Sequence, residues 1–562
     1  MNIIIWLVFA AVTLLAIVFL GLREFHMLQL NGYKTPEHSW WMKKNFKRYI
    51  PLILLFIGQF ALLAFRPVNR GSGLPYFRNS EGMAISAVLT DTLAVLNLFI
   101  AWFNKPGKKF KKPFKYTARV KRMLVTFFIL IAAAFVGAFF SADRVQLYGA
   151  GSTTGRLYLW THTYHVNLLP YIFVGSALYL TPLLVPLSNL INKPIETAIN
   201  NWYINDAKKK LAAMPDLHKV GITGSYGKTS MKFYLSELLS SQYETLKTPE
   251  SFNTPMGVTI TVRRDLKPTH EYFICEMGAR RVHEIKELCG IANPHDGIIT
   301  SVGPQHLETF GSIENVVNTK FELADCVKAN GGKIYLNYDN ELIRAKVGEY
   351  PNAVTYGTTE GSMWRGSDVS VSDRGTEFTV TAPDGKSCRF GTKLLGEHSV
   401  QNLLGAIAYA CGTGIPMEKL VLPVKRIAAV PHRLQLLDKG GGVTYIDDAY
   451  NSNPSGCRAA LAVLGLFDAC RILVTPGMVE LGAKQAELNF EFGQEAAKAC
   501  DYIVLVGKAQ TQPIYDGIKD AGFDMEKVYV ADGLNDALAK ANSYPTDKKK
   551  VVLLENDLPD NY

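Results

Sequence analysis

The chain has 562 residues, more than one hydrophobic core of the usual ~100–200 residues can organise, so a single compact domain is excluded. It is 48% hydrophobic and 20% charged, which excludes a disordered chain and is apolar enough that part of it is expected in lipid. The formal charge of +10 is local: residues 22–49 and 104–122 together carry 15 Lys/Arg against Glu24 and Glu37, so the rest is slightly acidic and no nucleic-acid partner is expected.

Apolar runs at about 3–22, 50–65, 83–103, 123–140 and 168–191 each approach the ~20 residues that carry a helix across the hydrocarbon core, and five crossings are predicted. Trp40, Trp41, Trp102 and Trp160 lie near their ends, where indole rings favour the interface. The first run lacks the charged start and the small-residue cleavage site of a signal peptide. Cytoplasmic loops retain Lys and Arg, so 22–49 and 104–122 are expected inside and 66–82 and 141–167 outside. With five crossings the amino terminus falls outside, and everything after about 192 is cytoplasmic. The predicted location is the cell membrane, multi-pass. Asp91 and Asn97 lie within the third run, where polar groups are costly enough to be candidates for function.

From 193 onward, apolar runs alternate with amphipathic stretches: HKVGITG, YFICEMG, DGIITSVG and GKIYLNYD, then VTYIDDAY, RILVTPGM, DYIVLVG and KVYVADG. Strands that end in Gly or Asp and lead into helices predict α/β units with parallel sheets. Residues 363–395 differ, reading as short antiparallel strands around DRG and DG turns, an inserted β meander. The expected domains are 1–192 in the membrane, 193–430 binding nucleotide and 431–562 a smaller α/β domain. All eight cysteines follow the last apolar run, with no CxxC pair, as in a reduced compartment.

The strongest chemical signal is GITGSYGKTS at 221–230, between an apolar strand and a helical run. Gly224, Ser225 and Gly227 let backbone N–H groups wrap phosphate oxygens, Lys228 reaches the terminal phosphates, and Thr229, beside Ser230, can hold Mg²⁺. The usual spacing would put a glycine at Ile222, so the loop is a variant. Glu276 closes the run YFICE, where a carboxylate could face the phosphates as a hard metal ligand. His306 in QHLETFGS and Lys320 in TKFE follow.

Taken together, GITGSYGKTS, SFNTPMGV, CEMGARRVHEI, HLETFGS with TKFE, GEHSVQNLLGAIA, PHRLQ, IDDAYNSNP and PGMVELG resemble the Mur ligase family in order across about 219–482. They are most similar to the branch that adds a D-alanyl-D-alanine dipeptide to a UDP-linked muramoyl tripeptide. The resemblance implies a P-loop central domain, a Rossmann-like carboxy-terminal domain, ATP and Mg²⁺ as cofactors, and amide formation through an acyl phosphate in cell-envelope synthesis. It implies that Lys228 and its loop hold phosphates, and that Thr229, Glu276, His306 and a carbamylated Lys320 serve the metal sites. Asn402 matches an adenine-side asparagine, Arg433 a phosphate-contacting arginine and Asp448 a ribose-binding acid, with Tyr450, Asn451 and Asn453 in a loop that closes over ATP.

Three departures accompany the matches. Ser399 stands where the family has an asparagine, and the terminal ENDLPDNY lacks the family's KGSR-like segment. About thirty residues separate the last apolar run from Gly221, too few for a UDP-gripping domain. The membrane helices are expected in its place, with an acid acceptor that is lipid-linked or otherwise presented at the inner leaflet, an amino acid or dipeptide as amine, and membrane lipids as partners. A transport ATPase and a non-catalytic nucleotide-binding scaffold are the alternatives.

Overall fold

The computed structural model describes residues 2–50, 53, 54, 57, 112–147, 169–438, 442–450, 452–479 and 481–557. The expected third span with Asp91 and Asn97, nearly all of the second, and loop 66–82 lie outside the described residues. The chain divides into two compact units whose boundary falls between Ile199 and Asn200.

The first unit is helical: α1 (Asn2–Leu30), α2 (Thr35–Lys44), α3 (Ala118–Leu147) and the start of α4 (Leu169–Ala212). Ile17, Leu20, Phe25, Met123, Phe127, Leu178 and Val185 form its core, with the Phe25 and Phe127 rings edge to face at 5.4 Å. Polar groups are buried among them. Tyr49 donates to both Glu24 oxygens at 3.1 Å, and Arg122 forks onto Glu196 at 2.6 and 2.9 Å. The outward faces are apolar instead, with Leu15, Phe19, Val125, Ile129, Leu183 and Leu190 exposed.

Among the described residues, one stretch, Thr13–Leu30, is long and apolar enough to cross a membrane, where five were expected. The fourth and fifth expected spans fall within α3 and α4. The expected domain boundary at 192 falls inside α4, because the apolar run 168–191 is the first part of a 44-residue helix that runs on to Ala212. Its polar second half, rich in Asn and Lys, extends the helix without extending the hydrophobic run, so hydropathy marks the end of the run and not of the helix.

The second unit contains two sheets. In the first, β1 (His218–Thr223), β2 (Thr245–Lys247), β3 (Tyr272–Glu276), β4 (Asp296–Ile299), β5 (Ile334–Asn337) and β6 (Ala353–Gly357) pair in parallel in the order β2-β3-β1-β4-β5-β6. The helices α5 (Lys228–Leu239), α6 (Pro255–Asp265), α7 (Glu284–Ala292) and α8 (Ile313–Ala329) connect them. Alternation along the strands sends Ile222, Ile274 and Ile298 into one core and Phe273, Cys275 and Ile299 into the other, so helices cover both faces. The expected meander forms as β7 (Trp364–Ser372), β8 (Gly375–Thr381) and β9 (Ser387–Thr392), antiparallel about the predicted turns. It is not a separate insertion, because β7 pairs in parallel with β6 and continues the sheet. Next comes α9 (Glu397–Gly412), whose Leu403, Leu404 and Ile407 lie in the core that holds Ile222.

The second sheet contains β10 (Gln435–Asp438), β11 (Val443–Asp448), β12 (Cys470–Thr475), β13 (Tyr502–Val506), β14 (Val528–Ala531) and β15 (Lys550–Glu555), in the order β10-β11-β15-β12-β13-β14. Only β10 is antiparallel. The helices α10 (Pro454–Leu464), α11 (Gln485–Ala499), α12 (Lys508–Asp520) and α13 (Leu534–Ser543) complete this α/β layer. In the first sheet β2 and β3 lie on one side of β1 and β4 to β6 on the other, so the strand order reverses at β1 and its carboxyl end is a topological switch point where ligands bind.

Candidate functional site

The loop after β1 is built to stay open toward a ligand. Gly224 has φ +152 and Gly227 φ +80, and a Cβ on Gly224 would fall 2.2 Å from the Thr300 hydroxyl. The loop is stitched to the segment after β4: the Ser225 amide donates to Ser301 O at 2.6 Å, the Ser225 hydroxyl to Gly303 O at 3.1 Å and the Tyr226 hydroxyl to Pro304 O at 2.9 Å. These bonds leave the amino end of α5 aimed at the crevice, where N–H groups and the helix dipole favour anions. Lys228 folds back to donate to Gly224 O at 2.7 Å and Ser225 O at 3.1 Å. Burial pushes its pKa down to about 8, with Glu276 opposing and Arg433 adding to the shift.

Glu276 sits at the end of β3, opposite Ile222 in the ladder, and is buried. Its Oε1 accepts from Thr229 at 3.2 Å and from Asn253 at 3.0 Å. Lys232 Nζ lies 2.9 Å from Oε2 and also donates to Glu250 O. A hydroxyl and a carboxylate side by side are the hard oxygen donors that Mg²⁺ prefers, so Thr229 and Glu276 fit the implied metal.

Lys320 is buried on α8, its Nζ 5.9 Å from the Phe310 ring centre. Burial, and after it the charge of Lys228, hold its amine well below the ordinary lysine range, with Glu284 and Glu322 acting the other way. The pair of lysines therefore shares one electrostatic environment. His306 has φ +52 and precedes the helical turn Leu307–Phe310, whose Thr309 and Phe310 amides bond to its carbonyl.

On the far wall, Asn402 in α9 donates to His398 O at 3.1 Å, and its amide lies against Gly227, beside the phosphate loop. Ser399, the departure in this motif, donates to Leu395 O at 2.9 Å and, with Ser230, bonds the buried Tyr234 hydroxyl. Arg433 stacks over Tyr450 at 4.4 Å. Burial pushes the carboxyl of Asp448 up to about 6, against the lowering effect of the Arg433 charge. Asp448 ends β11 and accepts from the Leu434 amide at 3.2 Å. Asn451 lies outside the described residues. Asn453, expected in a loop closing over ATP, caps the amino terminus of α10, accepting from the Gly456 amide at 2.8 Å.

Sequence reasoning missed Lys232, Asn253 and Glu555. Lys232 stands one helical turn after Lys228, but a lysine there reads as solvated until the fold buries it. Glu555 faces Asp448 across β11 and β15 and accepts from Ser452 at 2.7 Å; burial, with Asp448 adding, pushes its carboxyl well above the usual range.

The comparisons with known proteins bear on the same residues. The Mur ligase middle domain matches residues 222–410 and the Mur ligase glutamate ligase domain residues 432–555. UDP-N-acetylmuramoyl-tripeptide--D-alanyl-D-alanine ligase from Escherichia coli (strain K12) is 31% identical over 336 residues, covering 57% of this chain and 72% of that protein. The chain belongs to the Mur ligase family. It is therefore an ATP-dependent, amide-forming ligase of the Mur type. The enzyme of the same name from Mycobacterium bovis is 34% identical over 362 residues, covering 60% of this chain and 69% of the relative. Among solved structures, the MurF ligase from Thermotoga maritima in complex with ADP is 25% identical with a TM-score of 0.57, over 64% of this chain and 80% of that one. A MurF from Acinetobacter baumannii, 24% identical with a TM-score of 0.58 over 65% and 78% of the two chains, shares the fold.

Proposed function

We propose that this Mur ligase activates a carboxylate of a peptidoglycan-precursor peptide with ATP and joins it to the amine of an amino acid or a D-alanyl-D-alanine-like dipeptide. A carboxylate oxygen attacks the γ-phosphorus and ADP leaves. The amine then attacks the acyl carbon and phosphate leaves, the nitrogen losing its proton. The observation that carries this reading is the convergence of Lys228, Thr229, Glu276 and Lys320 around one glycine loop at the switch point of the first sheet, with Arg433 and Asp448 nearby. Lys228 and the loop N–H groups hold the phosphates. Thr229, Glu276 and His306 would hold Mg²⁺, which neutralises phosphate charge when bound. Arg433 and Asp448 orient the nucleotide.

The buried, depressed amine of Lys320 suits carbamylation: a neutral Nζ adds to CO₂, forming an N–C bond and releasing a proton, and the lysine becomes an anion. The test is coupled turnover. Purified full-length protein with Mg²⁺-ATP should release ADP only when acid and amine are both present, one ADP per amide. ADP release that ignores the amine would overturn the reading.

The finer part of the proposal concerns residues 1–192, read as a membrane domain of five spans followed by the catalytic domains 193–430 and 431–562. Its support is that the first unit exposes Leu15, Phe19, Val125, Ile129, Leu183 and Leu190 while Thr13, Glu24, Thr181, Ser188 and Asn192 are buried beside its apolar core. Residues 22–49 and 112–122 would meet anionic headgroups on the cytoplasmic side. A membrane-held ligase would gain from an acceptor confined to the same surface, since tethering raises effective concentration; a lipid-linked acid follows from that. A reporter fused after residue 200 should read cytoplasmic, and the chain should pellet with membranes and be released by detergent. An extracytoplasmic signal would overturn the orientation.

A further inference from the structure

The amino-terminal end of the first sheet's central strands, opposite the phosphate loop, carries a cluster that amide formation does not use. His218 opens β1, and His295 immediately precedes Asp296, the first residue of β4. The parallel register sets Val220 beside Asp296, and the His295 amide donates to Lys219 O at 2.8 Å, so the ladder itself brings the three side chains together.

Both imidazoles turn a ring nitrogen to the same carboxylate. His218 Nε2 lies 3.1 Å from Asp296 Oδ2, and His295 Nδ1 lies 3.2 Å from Oδ1. The ring centres are 4.7 Å apart, and one donor atom from each residue falls within 4.8 Å of the others. Asp296 is itself held by other groups: the buried Tyr409 hydroxyl donates to Oδ2 at 3.2 Å and the Lys333 amide to Oδ1 at 2.8 Å. Outer hydrogen bonds of this kind fix ligand orientation in metal centres. Asp296 is buried, His218 half-buried and His295 exposed, so the cluster has a firm base and an open side.

We propose that His218, His295 and Asp296 bind one divalent transition-metal ion of the zinc class. Two imidazole nitrogens and one carboxylate oxygen are a borderline donor set, which selects zinc, nickel or copper over magnesium. At metal–ligand distances of ~2.0–2.2 Å in a tetrahedral arrangement, donors stand roughly 3.4 Å apart. Rotation of the two exposed-side imidazoles closes the present spacing, and water completes the shell. The ion displaces the imidazole–carboxylate hydrogen bonds and ties the start of β1 to the start of β4. Those strands bracket the phosphate loop at their other ends, so the ion acts on the rigidity of the scaffold and takes no part in the transfer of phosphate.

The test is cobalt(II) titration of chelator-stripped, full-length protein with Mg²⁺ in excess to occupy oxygen-rich sites. One equivalent should bind with ligand-field absorption and no thiolate charge-transfer band. Zinc at a hundredfold excess over its Kd should raise the melting temperature by about 5 °C. His295→Ala, at an exposed position, should melt like the parent in chelator and lose both responses, as should His218→Ala. Binding that survives both substitutions, a thiolate band, or no binding at all would each overturn the site.

Discussion

Lys320→Ala is expected to lower kcat about a thousandfold, the scale seen when one charged or donor group is removed from a preorganised site. A neutral lysine cannot act as an anionic ligand, yet Lys320 is buried with its amine held in the neutral direction by burial and by the neighbouring Lys228. An amine in that state reacts with CO₂ far more readily than an ammonium does, and the carbamate it forms would face the Lys228 cation instead of repelling it. Two measurements separate this role from simple packing. In carbonate-depleted buffer the parent should lose turnover and regain it on adding bicarbonate, whereas Lys320→Ala should not respond to bicarbonate and should recover in part with acetate or propionate in the vacated space. The apparent KM for ATP should change much less than kcat, because Lys228 and the loop still hold the phosphates. Turnover of Lys320→Ala equal to the parent would remove the carbamate from the mechanism.

What could be read from the chain depended on whether local pattern or long-range burial carries each feature. Strands such as HKVGIT and YFICE are legible because each is a short apolar run closed by a turn or an acid and followed by helical periodicity, and they form as β1 and β3. The three-residue β2 offers too little periodicity to see. The apolar run KVVLLE has no amphipathic stretch after it to mark it as part of an α/β unit, yet β15 lies between β11 and β12 in the second sheet. The phosphate loop was legible because glycines at left-handed or unusual φ and a following lysine form a local signature, even with Ile222 in place of the first glycine. Glu276 was legible as a strand-end acid; its partners were not. Asn253 comes from the loop before α6 and Lys232 from the second turn of α5, and only the sheet order brings them together. Asn453 shows the opposite case. Its position before Pro454 is a helix-start signature carried by local pattern alone, and its side chain caps α10.

Lys232→Met is expected to destabilise the metal-free protein by about 3–5 kcal/mol, the cost of leaving one member of a buried ion pair without its partner. The exposure of the two side chains, 0% for Lys232 and 1% for Glu276, puts the pair in the regime where this cost applies and solvent does not screen it. Glu276 keeps its bonds from Thr229 and Asn253 in the variant, but no cation remains against Oε2. Glu276→Gln alone should also destabilise, by stranding the ammonium. The double variant Lys232→Met with Glu276→Gln should lose less than the two single losses combined, because the groups are in contact and their effects cannot add. Bound Mg²⁺ and nucleotide should then narrow the gap between Lys232→Met and the parent, since a divalent ion at Glu276 returns positive charge to the same carboxylate and ligand binding favours the folded state. Denaturant midpoints with and without Mg²⁺-ADP measure all of this. A Lys232→Met midpoint equal to the parent's would show that Asn253 and Thr229 alone hold Glu276. A gap that Mg²⁺-ADP leaves unchanged would separate the lysine from the metal site, making it a packing element of α5 and leaving Glu276 to meet the ion unaided.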